Sequence, residues 1–383
     1  MASLPTTAFI PLTHFSYKIN KFSDRLDILL DNKHVDSPKY TFPYSFFYLP
    51  DRMEAIVGGM DMNKRKIFKA IGIVVLALVA VYIFLLLALG HILHSEFYNS
   101  SFPIETIPGL SEDFVPQGVT ITDDGAILIC GYSSSNKPSR IYSIVDGKES
   151  VVYLENEDGT VYKGHAGGIT SSGEYVYISN ASKIFILRLN DVLSTSNGDT
   201  LSFIGHFSVP CRSSFCSSDG RYLYVGEYYA PGYDTDESHR LTTADGKTHN
   251  AITFAFPLDK DGKADTEPVM AFSTSDKVQG FAAFNGKVAL SISAGLREST
   301  IRFYDGSGVD SSFSYNGVDI PLIIIDSNRL IKKLDAPHMS EDLEYRNGIL
   351  AVAFEAGAKK YGLGFVPSSE RNIRGMEIEK ILT

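Results

Sequence analysis

Three cysteines in 383 residues are too few for a disulfide-stapled scaffold, and none stands with histidine in a zinc-binding spacing. The G-x-S-x-G elbow, the phosphate-binding loop and a G-x-G-x-x-G opening a helix are missing as well. The sequence therefore signals none of the usual routes to ester hydrolysis, nucleotide binding or hydride transfer. Basic charge is in deficit: 35 Lys and Arg face 45 Asp and Glu, a net charge of −10. A nucleic-acid surface needs a basic face, so no nucleic-acid partner is expected.

Apolar residues make up 44% of the chain and charged residues 21%, enough for a packed core. From Ala70 to Leu89 no residue is charged, and about 20 helical residues span the hydrocarbon core of a bilayer. Lys64, Arg65, Lys66 and Lys69 stand just before this run, which by the positive-inside rule keeps the N-terminus cytoplasmic. The expectation is a single transmembrane signal anchor over 67–93 in the cell membrane, with the lipid bilayer as its partner. Segment 1–61 would then be cytoplasmic and 97–383 extracytoplasmic. A cleaved signal peptide competes, but the run exceeds the ~7–15 residues of such a segment and His91-Ile92-Leu93-His94 is a poor cleavage exit. Residues 1–61 show no sustained period. Translation starting at Met60 or Met62 would make MNKRKIFKAIG an ordinary charged start to the anchor.

Beyond residue 95 one segment recurs. It reads VPQGVTITDDGAILICGYS from Val115, GHAGGITSSGEYVYISNAS from Gly164, and RSSFCSSDGRYLYVGEYY from Arg212. It returns as KVQGFAAFNGKVALSISAG from Lys277 and MSEDLEYRNGILAVAFEAG from Met339. From Gln117 to Gly167, Ser214, Gln279 and Glu341 the spacings are 50, 47, 65 and 62 residues. Repetition on this scale, with short Val/Ile/Tyr/Phe runs between Gly, Asp and Asn turns, predicts an all-β propeller. Each copy supplies two strands. Two more follow at 140–145 and 150–154, 184–189 and 201–209, 251–258 and 269–273, and 300–304 and 322–326. The fifth copy has only a third strand, at 376–381, while a spare strand at 102–107 precedes the first copy. Pairing the two closes a ring of five blades and removes its open edges. Six blades would need a further pair hidden in an insertion, at 231–249 or 306–317.

In such a ring the inner strands line a channel, and their starts converge on one mouth where ligands sit. Gln117, His165, Arg212, Gln279, Glu341 and Asp342 occupy those starts, and Glu227, Glu355 and Arg297 stand near ends of second strands. The same groups could instead satisfy one another and plug the channel. Glu227, Glu341 and Glu355 could give oxygen ligands to Ca2+, which takes about six to eight. No carboxylate pair can be singled out for glycoside hydrolysis. Cys211 and Cys216 could close a local disulfide outside the membrane or stay as two thiols, and Cys130 reads as strand core.

The segments 115–118, 164–169, 278–281, Met339-Ser-Glu-Asp and Ala353-Phe-Glu-Ala-Gly-Ala resemble a group of bacterial secreted or membrane-anchored β-propellers. That resemblance covers roughly 113–361 and brings no assigned activity. More distantly, the Pro-x-Gly start is similar to strands of the regucalcin/gluconolactonase and NHL-type propellers. In the calcium-dependent lactonases of that group this start carries a metal-binding Glu; here it is Gln117. The reading that emerges is an anchored propeller binding a small polar ligand or an envelope protein at its channel. A calcium-dependent, lactonase-like hydrolase and an envelope scaffold are the alternatives.

Overall fold

The computed structural model describes residues 62–233, 235–295, 297, 299–362 and 369–383. The expected cytoplasmic segment 1–61 lies outside them. The chain divides into two compact units, Met1–Leu86 and Leu87–Thr383. The first contains most of a helix over Met62–Leu93, 32 residues long. Its large apolar side chains face out: Ile73, Leu76 and Phe84 are 67%, 71% and 70% exposed. Among the described residues no helix is long and apolar enough to cross a membrane; the side chains at 83 and 86–89 of this helix are not among them.

The second unit is a five-bladed propeller. Its inner strands are Phe114–Ile121, Gly168–Ser172, Ser213–Ser218, Val278–Phe284 and Ser340–Arg346. Each pairs with the strand after it, and neighbouring inner strands touch around a closed ring. The expected closing pair forms: Phe102–Thr106 lies antiparallel to Asn372–Glu377 in the fifth blade, Phe102 opposite Gly375. Just before it, Phe97 is fully buried and meets Phe354 edge-on at 5.8 Å.

The core is divided among the five spaces between consecutive blades. Strands are buried on both faces, so alternate residues serve different interfaces. Leu128 and Cys130 pack toward Ile169 and Ile178 of the second blade, whereas Ile127 and Ile129 pack toward Ala351 and Ala353 of the fifth. Cys130 is thus core, as expected.

Glycine makes this packing feasible. A Cβ on Gly118 would stand 2.6 Å from the Ile169 nitrogen, one on Gly168 2.6 Å from that of Cys216, and one on Gly280 2.7 Å from that of Leu343. The repeat's glycines therefore mark where one inner strand presses against the backbone of the next blade.

Several expectations need correction. The run 322–326 does not finish the fourth blade. It lies in Val318–Ile324, which joins the third blade parallel to Met270–Thr274 and pairs with Ser311–Tyr315. Ile320 and Leu322 bury there in the Phe254 cluster. The fourth blade ends instead on Leu330–Ala336, a more polar outer strand carrying Lys332, Lys333 and Asp335. The run 201–209 splits: Thr200–Ser202 adds to the first blade and Gly205–Ser208 completes the second. The last strand stops at Glu377, and Ile378–Leu382 turns into a short helix. Cys211 and Cys216 form no disulfide. Both thiols are buried, and they turn to different backbones, Cys211 to the Val225 carbonyl and Cys216 to that of Tyr177.

Gly118→Ala and Gly280→Ala should each destabilise the propeller by about 1–3 kcal/mol through overpacking. Gly205→Ala, whose Cβ would meet nothing within 4 Å, is the control. Denaturant unfolding checks this; equal midpoints for all three would refute the close-approach explanation.

Candidate functional site

The inner strands begin with bulges. Register slips between Pro116 and Gly118, Ser213 and Phe215, Val278 and Gly280, and Ser340 and Leu343. Gln117, Ser214, Gln279 and the Glu341-Asp342 pair are the residues left out of the ladder, and a bulge re-aims such side chains. Three of these starts are those expected. In the third blade the place belongs to Ser214, and Arg212 lies outside the strand.

At the mouth two carboxyl groups meet. Glu355 Oε2 accepts Gln117 Nε2 at 3.0 Å and the Tyr361 hydroxyl at 2.6 Å. Glu341 Oε1 accepts Gln279 Nε2 at 3.4 Å, and Glu341 shares a hydrogen bond with Glu355. Burial raises both above the usual carboxylate range, Glu341 further because the Glu355 charge and hydrogen bond add to burial. Two adjoining buried carboxyls resist ionising together.

Lys360 Nζ bonds the Tyr132 hydroxyl and sits 5.0 Å and 5.1 Å from the Tyr132 and Tyr361 ring centres. Tyr132 stacks on His165 with ring centres 4.7 Å apart. Surrounding protein and then the Lys360 charge press His165 toward its neutral form. The ring is exposed at the rim, so water moderates both effects. Sequence reasoning misses Tyr132, Lys360 and Tyr361. Tyr132 ends a second strand, as Glu355 does, but Lys360 and Tyr361 sit on a turn, Lys359–Tyr361, with no copy in the other repeats.

Deeper in the channel Asp342 is fully buried and accepts the Ile169 and Leu343 N–H groups at 3.2 Å and 3.0 Å. Burial still raises its pKa. Glu344, also fully buried, accepts from Thr120 and Thr170 and from Arg346 Nη2 at 2.8 Å. Burial outweighs the Arg346 charge and lifts Glu344 to about 7.

The remaining candidates lie elsewhere. Glu227, 1% exposed, bonds His239 Nδ1 at 2.7 Å and accepts the Arg212 backbone N–H at 3.1 Å. Arg297 is exposed on the turn after the strand Lys287–Ile292. Of the three acids considered for Ca2+, Glu341 and Glu355 come together, and Glu227 is engaged with His239. Among the described residues no group of three or more His, Cys, Asp or Glu side chains is placed to hold a metal ion.

The channel acids carry a sign for stability. Their folded values lie above unfolded ones, so they stabilise at pH below about 4.5, and that contribution is lost as pH rises, for Glu344 through about 7. Glu344→Gln cannot ionise. Its melting temperature relative to wild type should therefore climb between pH 5 and pH 8, and a difference that stays flat would contradict this account.

No protein-family model matches the chain, and no curated protein does. Among solved structures it is similar to Myxococcus xanthus glutaminyl cyclase, at 10% identity and a TM-score of 0.38, over 72% of this chain and 94% of that one. It is also similar to a Thermus thermophilus protein provisionally described as an oxidoreductase (glucose dehydrogenase), at 16% identity and a TM-score of 0.39, over 72% and 99%. The computationally designed protein Ika4 matches at 10% identity and a TM-score of 0.26, over 53% and 91%. At these identities and scores the likenesses do not bear on function. The propeller architecture rests on the strand pairing itself.

Proposed function

We propose that this chain is a membrane-tethered propeller that binds a small polar ligand bearing a positive charge at its channel mouth. The observation that carries the reading is the Glu341–Glu355 pair, Glu341 buried and Glu355 half-buried, held by Gln117, Gln279 and Tyr361. Two adjoining carboxyls that resist ionising together form a site that a cationic group satisfies. Exposed Lys360 and His165, stacked with Tyr132 and Tyr361, supply the rim. The tether is the uncharged run from Ala70 to Leu89, preceded by four basic residues, in which Ile73, Leu76 and Phe84 are exposed. With positive charge retained in the cytoplasm, the propeller lies outside.

One feature favours a hydrolytic second reading. Paired carboxyls that resist ionising together suit acid–base work on a bound substrate. Ca2+ enters either reading as an occupant of the Glu341–Glu355 pair, with further oxygen ligands from water or substrate. An envelope scaffold would leave these channel groups without a role.

Thermal-shift titration of the intact protein with Ca2+, small amines, lactones and cell-wall fragments tests the reading. A binder should raise the melting temperature more at pH 8 than at pH 5, since proton displacement grows easier as pH rises. Glu355→Gln should weaken that binder at least tenfold. Turnover of a bound lactone would favour the hydrolytic reading. Absence of any shift, or a shift unchanged in Glu355→Gln, would sink the site.

A further inference from the structure

A second cavity, independent of the channel carboxyls, opens where the second and third blades meet. Its volume is about 400 Å3, and its lining includes Arg212, Glu227, Thr235, Asp236 and His239 with apolar Val209. His239 comes from the insertion after the second strand of the third blade, on the short turn Glu237–His239. Its ring is 6% exposed and packs against Phe254 and Phe313, at 5.9 Å and 5.8 Å between centres.

Glu227 fixes the chemistry of that ring. Its Oε1 lies 2.7 Å from His239 Nδ1, and its Oε2 is already bound to the Arg212 N–H. A carboxylate in this place holds the proton on Nδ1 and leaves Nε2 as an acceptor. Among the described residues Nε2 makes no hydrogen bond. Nε2 is not sealed in the core but open to the cavity that the ring lines, so a ligand hydroxyl entering there can donate to it.

The rest of the lining narrows the partner. Asp236 uses Oδ1 to accept from the Ser238 N–H and hydroxyl, at 2.8 Å and 2.7 Å, and Oδ2 has no partner among the described residues. Its carboxyl is held below the usual range by those bonds, so it stays ionised. Arg212 offers donors, and its guanidinium lies 5.6 Å from the centre of the Tyr233 ring. Tyr233 is 43% exposed. Two acceptors and one forked donor suit neighbouring hydroxyls on a compact carbon frame. A simple anion would meet Asp236 and Glu227, and a simple cation would meet Arg212.

We propose that this cavity is a binding site for a small uncharged polyol or monosaccharide, one hydroxyl donating to His239 Nε2 and another to Asp236. Arg212 donates to the ligand oxygens. A volume near 400 Å3 holds a single such ring.

The test uses the intact protein with methyl α-D-glucoside and glycerol as probes. Isothermal titration should show saturable binding of at least one of them, weakened tenfold or more in His239→Gln and in Asp236→Asn. Glu355→Gln, in the channel mouth, should bind as wild type does. Should His239→Gln fail to fold by circular dichroism, Asp236→Asn decides, since that side chain is exposed. No binding of either probe by the wild type overturns the proposal. So does binding unchanged in Asp236→Asn, or binding lost in Glu355→Gln and retained in Asp236→Asn. Absence of binding, or binding unchanged in Asp236→Asn, leaves the channel reading as it was, whereas loss in Glu355→Gln would move the uncharged probe to the channel mouth.

Discussion

Everything in the propeller depends on how closely its five inner strands approach one another. At Gly118, Gly168 and Gly280 the next blade's backbone stands where a Cβ would be. The ring closes at that radius because these positions carry no side chain. The same closeness makes the channel narrow. Groups that would be ordinary surface acids on a wider barrel become Asp342 and Glu344, each fully buried. The close approach sets the pKa shifts, and the pKa shifts set what the mouth can accept.

Groups buried in a narrow channel must find partners there. Here they do so unevenly. Asp342 has two backbone donors, and Glu344 has Arg346 and two threonines. Glu341 and Glu355 have amides, a tyrosine and each other. Hydrogen bonds to neutral donors compensate a buried charge only in part, so the shortfall is met by protons. The uneven supply also separates the channel by depth. Its lower part is locked by Arg346, and its mouth is left dependent on what solution provides.

Much of this is legible in the chain because the propeller repeats itself. Paired strands, blade number, closing strand and the starts at Gln117, Gln279 and Glu341 all follow from aligning copies. What the copies do not share is not legible. Lys360 and Tyr361 sit on a turn unique to the last blade, and His239 on an insertion unique to the third. The local pattern assigns 322–326 to the nearer blade, yet the strand that holds its first residues, Val318–Ile324, pairs with Met270–Thr274. Strand partners are chosen by long-range packing, which a local pattern does not encode. Arg212 shows the limit at one residue: a charged side chain beside a repeat looks like a channel group until the bulge places Ser214 there instead.

The closing pair also orders events in time. Thr106 and Asn372, joined by a side-chain hydrogen bond, are 266 residues apart. Bringing ends so distant together carries a chain-entropy cost of about 5 kcal/mol by logarithmic scaling. Blades one to four need no meeting so distant: their longest pairings, of Lys148–Glu155 with Thr200–Ser202 and of Met270–Thr274 with Val318–Ile324, span about 50 residues. The fifth blade is therefore the slow step of assembly, since contacts of long sequence separation form late. It is equally the seam at which the finished ring would first breathe, with amide exchange along Phe102–Thr106 outpacing that of the other four blades.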